Sequence, residues 1–390
     1  MKFDVAIVGG GLVGGSIARA LCPSGLSIVL VEPRSPRPLP VAGFDARVYA
    51  LNPRSVRCLE RWGIWPRLAQ ERITPVQEML VFGDDGNSEL EFSAYRSGVF
   101  ELAAIAEESN LQQALSESLG GQSDLVFLEG VECVRAEWTE SAVVLALSNG
   151  AELQARLVIA ADGAESGLRS QGGIEVEVHD YGQRGVVANF HVEKPHRNVA
   201  YQWFRKDGVL ALLPLPQGQV SMVWSTADAH AQGLLAMTGE ELARAVEDAA
   251  ANRFGAMRID GVAAAFALRR LRATRLIGPR LALLGDAAHN VHPLAGQGLN
   301  LGIADVESLA GALVGRGMES DCGATALLRR YERSRREDIL AMGWVTDGLH
   351  KLFGSTLPGL PWLRNAGLNL TNQVRPLKKL LVKRALGKVV

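Results

Sequence analysis

Cysteine is scarce in this sequence: Cys22, Cys58, Cys133 and Cys322 are widely spaced, none in a CxxC pair and none beside a histidine at metal-ligand spacing. That speaks against a disulfide framework and against a zinc site, and fits reduced thiols in a cytoplasmic protein. Net charge is nearly absent too, at −1, so the overall balance gives no reason to expect nucleic acid as a partner. No stretch is long and apolar enough to span a bilayer. Met1-Lys2-Phe3-Asp4 runs directly into a short apolar segment, leaving no room for a signal peptide. Internal repeats and low-complexity tracts are missing as well. What is plentiful is apolar content, 47% of 390 residues, enough to bury the cores of two or three structural units.

The charge that exists is unevenly placed. Residues 348–390 carry eight Lys or Arg and no acid, so the remainder carries the balancing negative charge. Within that tail, residues 375–386 interleave bases with Leu377, Leu380, Leu381 and Ala385. This imperfect amphipathic helix is suited either to an anionic lipid surface or partner protein, or to simple solvation.

Along the chain, residues 3–8 form a continuous apolar run expected as a buried parallel strand, followed by a turn and a helix over 17–21. Pro23 and Gly25 end that helix, and residues 27–31 make a second strand. A proline-rich loop follows at 33–40. Helices are expected over 55–68, 110–119, 240–254, 299–314 and 324–341. Residues 125–161 read as an antiparallel insertion with a hairpin at Asn149-Gly150. Alternation over 186–192, 200–204, 209–214 and 220–225 predicts a separate antiparallel sheet. A short buried strand at 280–284 ends on Gly285-Asp286.

Gly9-x-Gly11-x-x-Gly14, with Leu12 and Val13 between its last two glycines, lies between a strand and a helix, and Glu32 ends the next strand. The first glycine allows the turn, the second lets a pyrophosphate approach the backbone, and the third permits close helix–strand packing. The helix N-terminus supplies oriented N–H groups for phosphate, and Glu32 can accept from ribose hydroxyls. This fingerprint indicates a dinucleotide without choosing between FAD and NAD. The choice comes from the segment 281–302, where a strand delivers Asp286 at its carboxyl end. There an acid can bond a ribityl chain, and Gly296, Gly298 and Gly302 then lead into a helix. Small residues let backbone lie against a flat ring, and a helix N-terminus favours a reduced, anionic flavin.

The 281–302 block resembles the GD motif of the group A FAD-dependent aromatic hydroxylases. Ala160-Ala-Asp162-Gly163-Ala-Glu-Ser166-Gly-Leu-Arg169 resembles that class's DG motif, whose aspartate and arginine map onto Asp162 and Arg169. Several further stretches are similar to the ubiquinone-biosynthesis hydroxylases: Phe44-Asp-Ala-Arg47 with Ala50-Leu51, Ser55, Leu59 and Gly63-Ile-Trp65; Ala200-Tyr-Gln-Trp-Phe204; Gly208-Val-Leu-Ala-Leu-Leu-Pro-Leu215; and Val223-Trp-Ser225. The resemblance spans nearly the whole chain. One departure is Glu108, where many relatives carry Asn or Gln.

What the resemblance implies is an α/β fold like that of para-hydroxybenzoate hydroxylase. It pairs a Rossmann-like FAD-binding domain of glutathione-reductase type (1–75, 100–175 and 275–350) with a substrate domain built on an antiparallel sheet (76–99 and 176–274). A basic helical tail follows at 351–390. The implied activity is hydroxylation of a prenylated phenol or quinol by FAD and dioxygen, through a flavin C4a-hydroperoxide. NAD(P)H or a redox protein would donate electrons, since no second glycine fingerprint is present. Gly9, Gly11, Leu12, Val13, Gly14, Glu32, Arg47, Asp162, Arg169, Asp286, Pro293, Gly296, Gly298, Leu299 and Asn300 are the expected cofactor contacts. His292 and Pro293 are candidates for the flavin face, Trp203 for the substrate pocket, and Phe204 for the core. No catalytic base stands out, so catalysis by positioning is expected. His289 and His292 form no usual zinc pattern, and no metal is expected. The expected location is the cytoplasm, with the tail available for the inner-membrane face or other ubiquinone-biosynthesis proteins. Two alternatives stay open: hydroxylation of a soluble aromatic substrate, and a non-catalytic flavin-binding member of a biosynthetic assembly.

Overall fold

A computed structural model describes residues 1–354, apart from 36–37, 86–87, 291–297 and 318–319, together with Gly387. The basic segment 375–386 lies outside the described residues.

Lys2–Val8 is an apolar, central strand, paired in parallel with Ile28–Glu32 on one side and Glu152–Ala160 on the other. Leu125–Glu129 and Leu281–Leu283 extend this parallel sheet outward on either side. Strands buried on both faces read as unbroken apolar runs, which is why these segments were visible as runs rather than alternations. The helices Leu12–Leu21, Glu108–Leu119 and Gly298–Val314 supply apolar faces to the same core. Residues 125–129 therefore belong to the parallel sheet. Only Cys133–Trp138 and Val143–Leu147 form the antiparallel insertion, which joins Glu152–Ala160 through the Asn149-Gly150 turn.

The second sheet is ordered His289–Asn290, Met257–Ala273, Val176–Val192, Gln219–Ala227, Gly208–Leu215, Val199–Arg205, Glu78–Phe82 and Glu89–Ser93. Its pairs are antiparallel except the parallel one between Val199–Arg205 and Glu78–Phe82. The helices Asp228–Ala236 and Gly239–Ala249 cover one face, and the second helix opens with a capping box at Thr238 and Glu241. A small sheet of Val48–Leu51, Ala103–Glu107 and Thr74–Val76 lies against the other face, where Ala200 and Leu215 meet Val76 and Ile105.

Several boundaries differ from the sequence reading. The helix expected over 55–68 is Pro53–Arg61, stopped by Gly63 in the left-handed region (φ 69°), with a single 3₁₀ turn at Trp65–Arg67. The helix expected to begin at residue 110 begins at Glu108, and the last long helix runs from Thr325 to Gly354. Met257–Ala273 carries little strand signal of its own, because Ala263, Ala264, Ala265 and Ala267 have low strand propensity. Its length comes from pairing with Val176–Val192.

Candidate active site

The parallel strands end along one edge of their sheet, the side where open α/β sheets take ligands. Val8 leads there into Gly9, Ala160 into Asp162, and Leu283 into Gly285 and Asp286.

The fingerprint glycines divide their work physically. A Cβ on Gly9 would lie 2.2 Å from the Ala161 carbonyl oxygen, and one on Gly14 would lie 1.8 Å from the Gly9 carbonyl oxygen. Both positions are closed to any side chain. Around Gly11 nothing lies within 4 Å of such a Cβ, so its flank is open, as a cradle for a diphosphate requires. At Gly298, the start of its helix, nothing among the described residues lies within 4 Å of such a Cβ. Val13 instead packs against Gly285 and Gly302, tying the fingerprint helix to the Asp286 turn. Leu12 and Leu299 share an apolar niche with Leu59, Ile64, Leu111 and Ile303. The Glu32 carboxylate accepts the backbone N–H of Gly10 through one oxygen and that of Arg34, at 2.9 Å, through the other. These bonds fix its place beside the glycine turn.

Asp286 sits on a three-residue 3₁₀ turn, Gly285–Ala287, between strands of the two large sheets. Its residue surface is exposed although protein atoms crowd around the carboxyl, the situation of a group on the floor of a concavity. That crowding raises the carboxyl above its ordinary value, against the opposing pull of His289, Arg47 and Arg269. Asp162, just past the end of Glu152–Ala160, is partly buried. Its Oδ2 accepts the Leu168 N–H at 3.2 Å, while Oδ1 is buried with no hydrogen-bond partner among the described residues. A buried orphan acceptor costs free energy unless some further donor reaches it. An open glycine flank, a reachable acid and an orphan acceptor along one sheet edge fit a polyol dinucleotide such as FAD.

Arg47 stands over the Tyr49 ring at 5.3 Å and meets Glu108 Oε1 at 3.4 Å, as does the Tyr49 hydroxyl. Burial opposes the Arg47 charge, but Tyr49, Glu108 and Asp286 outweigh it and raise the guanidinium above its usual value. Burial likewise pushes the Tyr49 phenol well up, so it stays a donor. Glu108 thus serves as the counter-charge of Arg47.

Several contacts lay beyond sequence reasoning. The fully buried Glu107 holds Arg72 through both oxygens, at 2.7 and 2.8 Å, and Arg72 also donates to the Gly43 carbonyl. Asn189 donates to the carbonyls of Phe44 and Asp45, and Asp45 in turn caps the Ser109 N–H. Together these fix the loop that carries Arg47. Only the Phe44–Arg47 motif hinted at this, because the partners are distant in sequence.

Two expected contacts turn inward. Arg169 is buried and donates to the Ala287 carbonyl at 3.0 Å, so it braces the Asp286 turn from behind. Asn300 is buried, with its side chain on the backbone of Ala50 and Asn52. His292, Pro293 and Gly296 lie outside the described residues.

Trp203 requires a correction. It stacks on Phe82 and Tyr201, at 5.5 and 5.7 Å between ring centroids, in the core beneath the two covering helices. Strand alternation puts Trp203 with Tyr201 on that covered face and turns Gln202 to the face that meets residues 44–50. Phe204, expected in the core, is buried beside Val81 and Leu90. No helix among the described residues is long and apolar enough to cross a membrane.

Residues 2–342 match the FAD binding domain family. The chain is 36% identical to ubiquinone hydroxylase UbiL of Rhodospirillum rubrum, covering 98% of this chain and 89% of that protein. It is 32% identical to 3-demethoxyubiquinol 3-hydroxylase of Escherichia coli, covering 98% of each. Among solved structures, PqsL of Pseudomonas aeruginosa in complex with 2-aminobenzoylacetate superposes with a TM-score of 0.80 at 24% identity, over 94% of this chain and 99% of that one.

Proposed function

The chain belongs to the FAD binding domain family, and from that premise we propose that it is an FAD-dependent monooxygenase hydroxylating the aromatic ring of a prenylated phenol or quinol on the route to ubiquinone. The observation that carries this reading is convergence. Gly11, Asp162 and Asp286, from three distant segments, lie at the carboxyl ends of strands of one sheet, with the flank of Gly11 open among the described residues. Relatives that match this chain over nearly its full length are named for hydroxylation in ubiquinone biosynthesis.

In this reading the sheet of Lys2–Val8 and its partners is the cofactor-holding part, and the sheet built on residues 176–274 with 76–99 is the substrate part. Gly9, Gly11, Leu12, Val13 and Gly14 receive the diphosphate at the helix N-terminus. Glu32 accepts from the adenosine ribose, and Asp286 accepts from the ribityl hydroxyls. Arg47 supplies a cation, while Asp162, Gly298 and Leu299 border the ring, and Arg169 and Asn300 hold the backbone on which those contacts depend. The chemistry FAD supplies when bound is activation of dioxygen for insertion into an electron-rich ring. The protein's share is to orient that ring and keep water out. Val187, Val223, Ala211 and Leu213, on the sheet face opposite the covering helices, give such a wall. Electrons come from NAD(P)H or a redox protein. The basic segment 375–386 holds the enzyme near an anionic membrane surface or a neighbouring biosynthetic protein, where a prenylated substrate resides.

The test is direct. Purified full-length protein should retain a flavin released on denaturation, and with a reductant it should convert a prenylated phenol to a product heavier by one oxygen. Protein that takes up no FAD on reconstitution overturns the reading. Conversion of soluble aromatic acids in preference to prenylated phenols would reassign the substrate.

A further inference from the structure

We propose that Asp305 and His289 form a positioning pair that sets the Asp286 carboxylate for the ribityl chain, an inference that rests on the role given to Asp286 above. Asp286 sits on a turn of only three residues, too short to be rigid through its own hydrogen bonds. Asp305, fully buried on the helix Gly298–Val314, grips that turn from beneath at two points. Its Oδ2 accepts the backbone N–H of Gly285 at 3.0 Å, immediately before Asp286. The same oxygen lies 2.7 Å from His289 Nε2, three residues after Asp286. A carboxylate only accepts, so Nε2 carries the hydrogen. One oxygen atom thus holds both ends of the segment that presents Asp286.

The other oxygen is held as firmly. Arg335, from the last long helix, donates its Nε to Asp305 Oδ1 at 2.8 Å and extends to Asp338 and the Leu301 carbonyl. The Tyr331 hydroxyl bonds the Leu283 carbonyl at 2.7 Å, fixing the strand just before the turn. On the opposite side Arg169 holds the Ala287 carbonyl. His289, Asp305 and Arg335 are each at most 3% exposed, so this network is shielded from solvent while Asp286 is exposed. Removing either end of a buried charged pair is costly in general, so stability alone would not identify a positioning role.

Coupling to Asp286 does identify it. FAD dissociation constants would be measured on apoprotein by flavin fluorescence for wild type, Asp286→Asn, His289→Leu and the double variant, with His289→Gln as the rescue. The expected result is a roughly tenfold weakening for His289→Leu, ~1.4 kcal/mol. His289→Gln, which can still donate to Asp305, should restore most of it. In the Asp286→Asn background His289→Leu should add less than about twofold, because the carboxylate it positions is gone. Equal weakening by His289→Leu in both backgrounds overturns the pairing. An Asp286→Asn protein that binds FAD as well as wild type overturns the parent reading instead. Should the leucine variant not fold, the same cycle with His289→Asn, too short to reach Asp305, reads the same coupling.

Discussion

The side chain of Asn300 joins the backbone at Asn52, accepting its N–H at 3.0 Å while donating to the Ala50 carbonyl at 2.8 Å. Asn52 in turn caps the helix Pro53–Arg61 by accepting the Ser55 N–H at 2.9 Å. The helix expected to border the flavin ring is thereby stitched to the strand that follows Arg47. Asn300→Ala strands one buried donor, at roughly 1–3 kcal/mol, and one half-buried acceptor, at less. Apoprotein denaturation should report a loss of that order, and FAD affinity should fall with it. Asn300→Asp, which keeps the acceptor but sets a carboxylate oxygen against the Ala50 carbonyl, should lose at least as much stability at neutral pH as Asn300→Ala. Equal stability of all three proteins would remove Asn300 from this role.

The glycine fingerprint separates folding from binding. Gly14→Ala drives a methyl group into the Gly9 carbonyl, so the strand–helix junction must open and the apoprotein should melt well below wild type. Gly11 has φ −61°, a conformation alanine adopts freely, and open space beside it. Gly11→Ala should therefore leave the apoprotein melting temperature unchanged while weakening FAD at least about tenfold, ~1.4 kcal/mol or more. Thermal melts and flavin titrations on the same preparations check both halves.

What could be read from the sequence, and what could not, follows from locality. Gly9 to Glu32 is one contiguous strand–turn–helix–strand unit, so the fingerprint's spacing reports its geometry. Asp286 was visible for the same reason, as the residue at the end of an apolar run. The contacts that aim these residues were invisible because they join distant segments: Asp305 with His289 and Arg335, Glu107 with Arg72, Asn189 with the carbonyls of Phe44 and Asp45. Alternation places Trp203 on the opposite face from its neighbours Gln202 and Phe204, but does not say which face looks toward the cofactor. That is decided by the helices Asp228–Ala236 and Gly239–Ala249, which come later in the chain and cover the tryptophan side.

The two strand neighbours accordingly make opposite predictions. Gln202 is 7% exposed on the face toward residues 44–50, and no protein group among the described residues holds its amide. Gln202→Leu should raise KM for the prenylated phenol about tenfold, consistent with loss of one or two neutral hydrogen bonds at ~1 kcal/mol each. Trp203→Phe should leave KM within about twofold and instead lower stability, as truncating a packed core aromatic does. Steady-state kinetics with the prenylated substrate, paired with thermal melts, distinguish these outcomes. A raised KM for Trp203→Phe with unchanged melting would return Trp203 to the pocket.

Asp286 gives the site a pH dependence whose sign is fixed. Protein atoms around the carboxyl raise its folded value above the ordinary one, although His289, Arg47 and Arg269 pull the other way. Hydroxyls of a ribityl chain donate to the ionised carboxylate, and protonation replaces an acceptor with a donor. FAD affinity should therefore be complete above the raised value and decline as pH falls through it, beginning at a higher pH than an ordinary aspartate would allow. Asp286→Asn should bind more weakly at neutral pH and lose this slope, since its amide does not titrate. Flavin fluorescence titrations of apoprotein between pH 4.5 and 8 would show the two curves converging toward the acid end. An Asp286→Asn curve parallel to wild type across that range would mean that the slope belongs to another group.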